Sequence, residues 1–197
     1  MIAVASLHDL DLAKVGLAVA LDVETTGFGY QDKIVELALS LFAFGRETGQ
    51  ILGIVDEYSG LQDPKMPIPA GARRVHGISD GDVRNKALDR SRITTIMGQG
   101  EFIVAHNASF DRRFVGAEFS LAREMLWLCS CKDIAWKRRG FQSASLEYLL
   151  NCHQIRMERR HRALDDVHAT LMLLSQPDGK ATYFTELLGK YRQATLR

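Results

Sequence analysis

An apolar, β-branched run ends in two acids: Ala18-Val19-Ala20-Leu21-Asp22-Val23-Glu24-Thr25-Thr26-Gly27. Such a run predicts a strand buried on both faces. Residues two apart on a strand point to the same side, so Asp22 and Glu24 stand together where apolar side chains belong. Like charges that close repel, and desolvation adds to the cost. A divalent cation is the simplest partner that offsets both effects. The bland account is a strand that has surfaced, with both acids in water.

Two further clusters hold acids in unusual company. His106-Asn107-Ala108-Ser109-Phe110-Asp111 follows a short buried strand, and Asp111 falls in the first turn of a helix. His161-Arg162-Ala163-Leu164-Asp165-Asp166 opens another helix, on which Asp166 shares a side with the small residues Ala169 and Thr170. Singly, each acid reads equally well as a complement to the helix dipole. Jointly, four carboxylates on three buried elements, with a histidine, make a hard-oxygen site suited to Mg²⁺ or Mn²⁺.

These clusters must be positioned by a sheet with helices on its faces. A first strand covers about 17–23, and residues 27–32 form a loop. Val35, Leu37, Leu39, Leu41 and Ala43 alternate with Glu36, Ala38 and Ser40, which predicts a half-exposed second strand. A turn over 45–49 leads to a third strand over 51–58, antiparallel to the second. Residues 59–69, with three of the four prolines, read as a loop. A short helix stops at Gly77, another starts after Ser79-Asp80, and a third near Ser91. Residues 101–105 form a buried strand, and Asn107 is the predicted N-cap of the next helix. In that helix Phe110, Phe114, Ala117 and Leu121 recur at helical spacing. Residues 125–131 are a last strand. The helix over 163–174 buries Leu164, Val167, Leu171 and Leu174, and a terminal helix begins near Tyr183. Strands first, then strand–helix alternation, means a mixed α/β sheet in a single domain over 1–197. Its core is about 17–175, with 1–14 as a leader and 183–197 as a terminal accessory.

In their order, Asp-x-Glu-Thr-Thr-Gly, His-Asn-Ala-x-Phe-Asp and His-x-Ala-x-x-Asp resemble the DnaQ-like 3′→5′ exonucleases, the histidine-bearing branch of the DEDD superfamily. The resemblance runs from Leu17 to Leu174 and includes Ile68-Pro69 followed by Val75-His76-Gly77-Ile78-Ser79. It implies an RNase H-like fold. It also implies two metal ions held by Asp22, Glu24, Asp111 and Asp166, with Asp22 shared between them. Asp165 is one residue off the family spacing, which turns it about 100° around the helix. By the same resemblance His161 is the general base, Thr25 meets the terminal sugar, Val75, His76 and Phe110 flank the last base, and Asn107 helps order the site. Phe110 fits the buried helix stripe equally well. Where many relatives carry Asp-Thr after the last strand, this chain reads Cys129-Ser130-Cys131.

Bulk composition fits this picture without announcing it. Net charge is +1 over 197 residues, so any basic surface for nucleic acid must be local. The stretch 132–162 holds Lys132, Lys137, Arg138, Arg139, Arg156, Arg159, Arg160 and Arg162 against Asp133, Glu147 and Glu158. That excess is the expected grip on a phosphate backbone. Cys129, Cys131 and Cys152 are odd in number in a large chain and do not make a disulfide framework, and with His153 their Cys-x-Cys spacing makes a poor zinc knuckle. No apolar run reaches the roughly 18 residues of a membrane span, and the start lacks the look of a secretory signal, so a cytoplasmic protein is expected. The partner expected is a nucleic acid 3′ end, with a DNA polymerase or other replication and repair proteins beside it. Two rival functions remain: a catalytically silent binding module on this fold, which would be expected to have lost one of the five residues, and a polymerase-bound proofreading subunit.

Overall fold

The computed structural model describes residues 13–157, 161–179 and 181–196. Most of the expected leader, and Glu158, Arg159 and Arg160 of the basic stretch, lie outside the described residues. Five strands form one sheet: β1 (Val15–Thr25), β2 (Ile34–Gly45), β3 (Ile51–Leu61), β4 (Ile103–Ala105) and β5 (Trp127–Cys129), in the order β3-β2-β1-β4-β5. β1, β2 and β3 pair antiparallel, whereas β4 and β5 run parallel to β1. The sheet is therefore mixed, as the sequence predicts.

Strand alternation sorts its residues onto two faces. Val19, Leu21 and Val23 of β1, with Leu37, Leu39 and Leu41 of β2, pack against α3 (Arg90–Gln99), α4 (Ala108–Glu118) and α5 (Ser120–Glu124). Ala18 and Ala20, with Ala38 and Phe42, face α6 (Leu146–Cys152), α7 (Ala163–Leu174) and α8 (Tyr183–Thr195). The alanines matter because a residue without bulk lets α7 lie directly on β1 and β2. Continuing β1 by twos from Ala18 and Ala20 gives Asp22 and Glu24, so both acids point toward α7, at the end where its first turn lies.

Several elements differ from the sequence reading. β2 is buried along its whole length before Gly45, not half exposed. Its polar-looking side is Glu36, Ala38 and Ser40, and α7 covers it. β3 continues to Leu61, past the expected end of the strand. α4 stops at Glu118 because Phe119 is extended, so Leu121 belongs to α5. Asn107 is not a side-chain cap: it adopts a left-handed backbone, φ 69° and ψ 45°, and makes no capping bond. β5 is only three residues, and 177–182 form a small ribbon of β6 (Pro177–Asp178) and β7 (Ala181–Thr182). The short helices hold as predicted. α1 (Ala70–His76) ends at a left-handed Gly77, φ 73°. α2 (Asp80–Val83) starts with a Ser79–Asp82 capping box. No helix among the described residues is long and apolar enough to cross a membrane.

Candidate active site

The end of β1 meets the starts of α4 and α7, and three distant stretches converge there. One ligand atom each from Glu24, His161 and Asp166 lies within 4.8 Å of the others. Asp111 enters from α4 with its side chain almost fully buried, and its Oδ1 accepts a 3.2 Å hydrogen bond from the Val23 backbone N–H, between the two β1 acids. A cleft of about 500 Å³ is lined by Asp22, Glu24, Thr25, Val75, His76, Phe110, Asp111, His161 and Asp166. Nine of the ten residues singled out in the sequence therefore share one cavity. The tenth, Asn107, lines an adjoining cavity that also includes Asp22, His161 and Asp166.

Crowding and burial show in the acidities. Burial raises the Asp22 carboxyl well above its usual range, and the charges of Asp111, Asp166 and Glu24 push it further. Glu24 is pushed up to about 8, first by burial and then by Asp166 and Glu36. Asp111 reaches about 8 through burial, although its hydrogen bonds work against this. Asp166 reaches about 7, by burial and by its neighbour Asp165. Four carboxylates whose joint ionisation burial and crowding penalise would gain from a cation among them. The donor set of carboxylate oxygens with one imidazole fits a hard divalent ion, whose charge would reverse every one of these shifts.

The cation nearest in sequence, Arg162, is committed mainly elsewhere and lowers the Glu24 pKa only as the smallest of its influences. Arg162 donates from Nε to both Glu36 oxygens at 3.1 Å, and its terminal nitrogen reaches Oε1 at 2.6 Å. Glu36 Oε2 also accepts the Ala163 backbone N–H at 3.0 Å. The Glu36 side chain is only 3% exposed, against 35% for Arg162. This clasp ties β2 to the first turn of α7, immediately beside His161, whose backbone is left-handed at φ 56°. Sequence reasoning missed Glu36. The available signal was a carboxylate on the same face as Ala38 and Ser40, opposite Glu24 in the strand pair.

The rest of the cleft wall is apolar with a few fixed polar groups. The Thr25 hydroxyl donates to the Gly27 carbonyl at 2.7 Å, which tightens the turn after β1. Val75 is 52% exposed, an uncommon state for a branched apolar residue. Phe110 is half-buried: its ring packs on Phe114 and meets Phe28 at 5.7 Å, and it also lines the cleft. His76 is buried, and its Nδ1 accepts the Ile78 N–H at 3.0 Å, so the ring proton sits on Nε2. That Nε2 has no well-formed hydrogen bond, and burial lowers the histidine's pKa while the Thr25 backbone offsets part of the loss. His106 lines the cleft with Nε2 donating to the Ala144 carbonyl and Nδ1 facing the Ser130 hydroxyl, both at 2.9 Å. Burial drives its pKa down to about 4, so it is a neutral strut.

The basic stretch needs correction. Arg162 is committed to Glu36, and Arg139 pairs with Asp178 at 2.5 Å and Glu186 at 2.8 Å. Both guanidinium groups serve the fold, not an outside phosphate.

A family model described as Exonuclease matches residues 19–174. The chain is 34% identical over 174 residues to the DNA polymerase III subunit epsilon of Treponema pallidum, covering 79% of this chain and 74% of that protein. It is 31% identical over 167 residues to the PolC-type DNA polymerase III of Thermotoga petrophila, covering 77% of this chain but spanning only 11% of that protein's length. Among solved structures it resembles Exonuclease X in complex with 5′ overhanging duplex DNA, with 28% identity and a TM-score of 0.58 over 79% of this chain and 88% of that one. With the motif order, the mixed sheet and the acidic cleft, these matches lead to one conclusion: the chain belongs to the exonuclease family.

Proposed function

We propose that this chain is a metal-dependent 3′→5′ exonuclease, a single domain over residues 1–197 acting in the cytoplasm. It removes nucleoside 5′-monophosphates one at a time from a nucleic acid 3′ end. The observation that carries the reading is the convergence of Asp22, Glu24, Asp111, Asp166 and His161 on one cleft from three separate parts of the chain. Asp22, Glu24, Asp111 and Asp166 would hold two Mg²⁺ or Mn²⁺ ions. Such ions supply the concentrated positive charge that an anionic phosphodiester needs for attack by water and in-line departure of the leaving oxygen.

The chain's own residues do the rest. His161 lies beside Glu24 and Asp166 and takes the proton as water attacks phosphorus. The phosphorus–O3′ bond breaks, O3′ takes up a proton from solvent to leave the shortened strand with a 3′-hydroxyl, and the 5′-monophosphate leaves. Thr25 and its backbone meet the terminal sugar, and Asn107 helps order the approach. Val75 and Phe110 give the last base an apolar wall on which it can stack. His76, buried in the cleft wall beside the Thr25 backbone, flanks the same nucleotide. The silent-module alternative is not favoured, since none of the five residues is lost. Similarity to a polymerase epsilon subunit and to a PolC-type polymerase favours a second reading alongside the first, in which the same activity edits for a DNA polymerase.

The test is incubation with 5′-labelled single strands and Mg²⁺. A one-nucleotide ladder is expected, abolished by EDTA and by Asp22→Ala. A ladder that survives Asp22→Ala overturns the reading.

A further inference from the structure

We propose a second anion site, on the outer side of α4, for a backbone phosphate other than the one being cut. It rests on the nuclease reading above. Asp111 turns into the catalytic cleft, while Arg112 and Arg113, the next two residues of the helix, line a separate cavity of about 410 Å³. Lys132, from the turn after β5, lines it too, and Asp133 is the acid there. The Asp133 carboxylate is already engaged, accepting the Cys129 backbone N–H at 2.7 Å.

The three cations are held in place by neutral acceptors. Lys132 Nζ donates to the Ser109 hydroxyl at 3.0 Å, Arg112 to the Arg123 carbonyl at 3.3 Å, and Arg113 to the Phe28 carbonyl at 2.8 Å. Among the described residues none of the three forms an ion pair. Arg113 also lies over the Phe114 ring at 4.5 Å, so the charge offered to an anion is chiefly that of Arg112 and Lys132, and three cations against the one acid, Asp133, leave the cavity net positive. Guanidinium groups with free N–H donors match phosphate oxygens in geometry as well as in charge.

Position argues for nucleic acid as the source of that phosphate. Arg113 bonds the backbone of Phe28, which lines the catalytic cleft, so the two cavities flank the same structural unit. A helix with its side chains is about 10–12 Å across. At about 3.4 Å of axial rise per nucleotide in a duplex, that distance corresponds to some three nucleotides along the axis. The phosphate comes either from the cut strand upstream of its 3′ end or from the opposite strand of a duplex.

The double variant Arg112→Gln/Lys132→Gln separates this from the catalytic reading. It is assayed on a single-stranded oligonucleotide, on a duplex with a 5′ overhang, and on the p-nitrophenyl ester of thymidine 5′-monophosphate, which has no second phosphate. The ratio of KM on an oligonucleotide to KM on the ester should rise about tenfold, and the slope of log KM against log salt should fall by about 1. A change on the single strand assigns the phosphate to the cut strand; a change on the duplex alone assigns it to the opposite strand. An unchanged KM ratio and salt slope on both oligonucleotides overturns the site, as does an equal loss on ester and oligonucleotides. Lys132→Glu alone, in an exposed turn, must move the ratio in the same direction and decides the matter if the double variant does not fold. If the unaltered protein cleaves neither ester nor oligonucleotide, the nuclease reading fails instead.

Discussion

Glu24 and Glu36 face each other across β1 and β2, and their surroundings could hardly differ more. Glu36 is buried against Arg162 and the Ala163 N–H, with its lone pairs satisfied by four hydrogen bonds. Glu24 belongs to a group with Asp22, Asp111 and Asp166 in which burial raises every carboxyl pKa, and repulsion between neighbouring charges adds to it at Asp22, Glu24 and Asp166. The fold thus pairs Arg162 directly with one carboxylate and leaves its neighbours only a weak share of that charge. Where the partner is built in, the acid is part of the scaffold. Where it is not, the cost stays in the folded chain until a ligand arrives.

Asp22→Asn should widen that contrast most. Losing one proposed metal ligand removes several kcal/mol of transition-state stabilisation, about 10³-fold or more in kcat. The same change deletes a repelling charge, so the metal-free variant should melt higher than the parent at pH 8. Asp165→Asn, one position from Asp166, should lose far less activity. A metal-free Asp22→Asn protein that melts lower would break the comparison, because Asp22 would then be stabilising the fold.

Glu36→Gln should act the opposite way. It leaves the Arg162 guanidinium half-buried without its counter-charge and weakens the hold on the Ala163 N–H. Removing one partner of a buried pair costs about 3–5 kcal/mol, and the partial exposure of Arg162 brings this to about 2–3 kcal/mol. Melting should therefore fall by about 4–12 °C for a chain of this size. Because the clasp adjoins His161, kcat should drop more than KM rises.

These contrasts also mark what was legible in the sequence. The acids of the cleft announce themselves locally: Asp22 and Glu24 break an apolar strand, and Asp111 and Asp166 sit in first helical turns beside small or apolar residues. The mixed sheet follows from the order of its elements. Glu36 was hidden because its partner lies 126 residues away, and because Ala38 and Ser40 make β2 look half-solvated when they are small for the sake of α7. Asn107 has the right side chain for a cap, but the chain enters α4 through a left-handed turn that points it elsewhere. Local chemistry could be read; long-range pairing could not.

Metal and pH should expose the cost of the acid cluster directly. Glu24 and Asp111 near 8, and Asp166 near 7, hold protons more tightly in the folded chain than at the ordinary values of 4.5 and 3.8. Their stabilising contribution is complete below about pH 4 and is lost as pH rises toward 8. The metal-free protein should therefore melt lower at pH 8 than at pH 5.5. Divalent ions must displace those protons, so Mn²⁺ or Mg²⁺ should stabilise more at pH 8 than at pH 6. A hundredfold excess over Kd gives about 2.7 kcal/mol, about 5–11 °C here. Scanning calorimetry with EDTA or metal at the two pH values reads this out, and equal metal shifts at both would contradict the raised carboxyl pKa values.

The smallest effect belongs to Arg139, a cation the fold supplies far from the cleft acids. Its guanidinium is 23% exposed and donates from two nitrogens to the Asp178 carboxylate, at 2.9 and 2.5 Å. It also lies 2.8 Å from Glu186 Oε2, close enough for an ion pair though not aligned for a hydrogen bond. Those contacts tie the Trp136–Arg139 turn to the β6–β7 ribbon and to α8. Partly exposed pairs of this kind contribute about 1 kcal/mol or less, so Arg139→Met should lower the melting temperature by about 2–4 °C. Its charge is already matched by two acids, so it has little left for a phosphate. The slope of log KM against log salt on oligonucleotides should stay at the parent's value, in contrast to the loss expected from Arg112 and Lys132. A reduced slope in Arg139→Met would mean that the ion pairs open for substrate, and that internal pairing does not decide which cations meet the backbone.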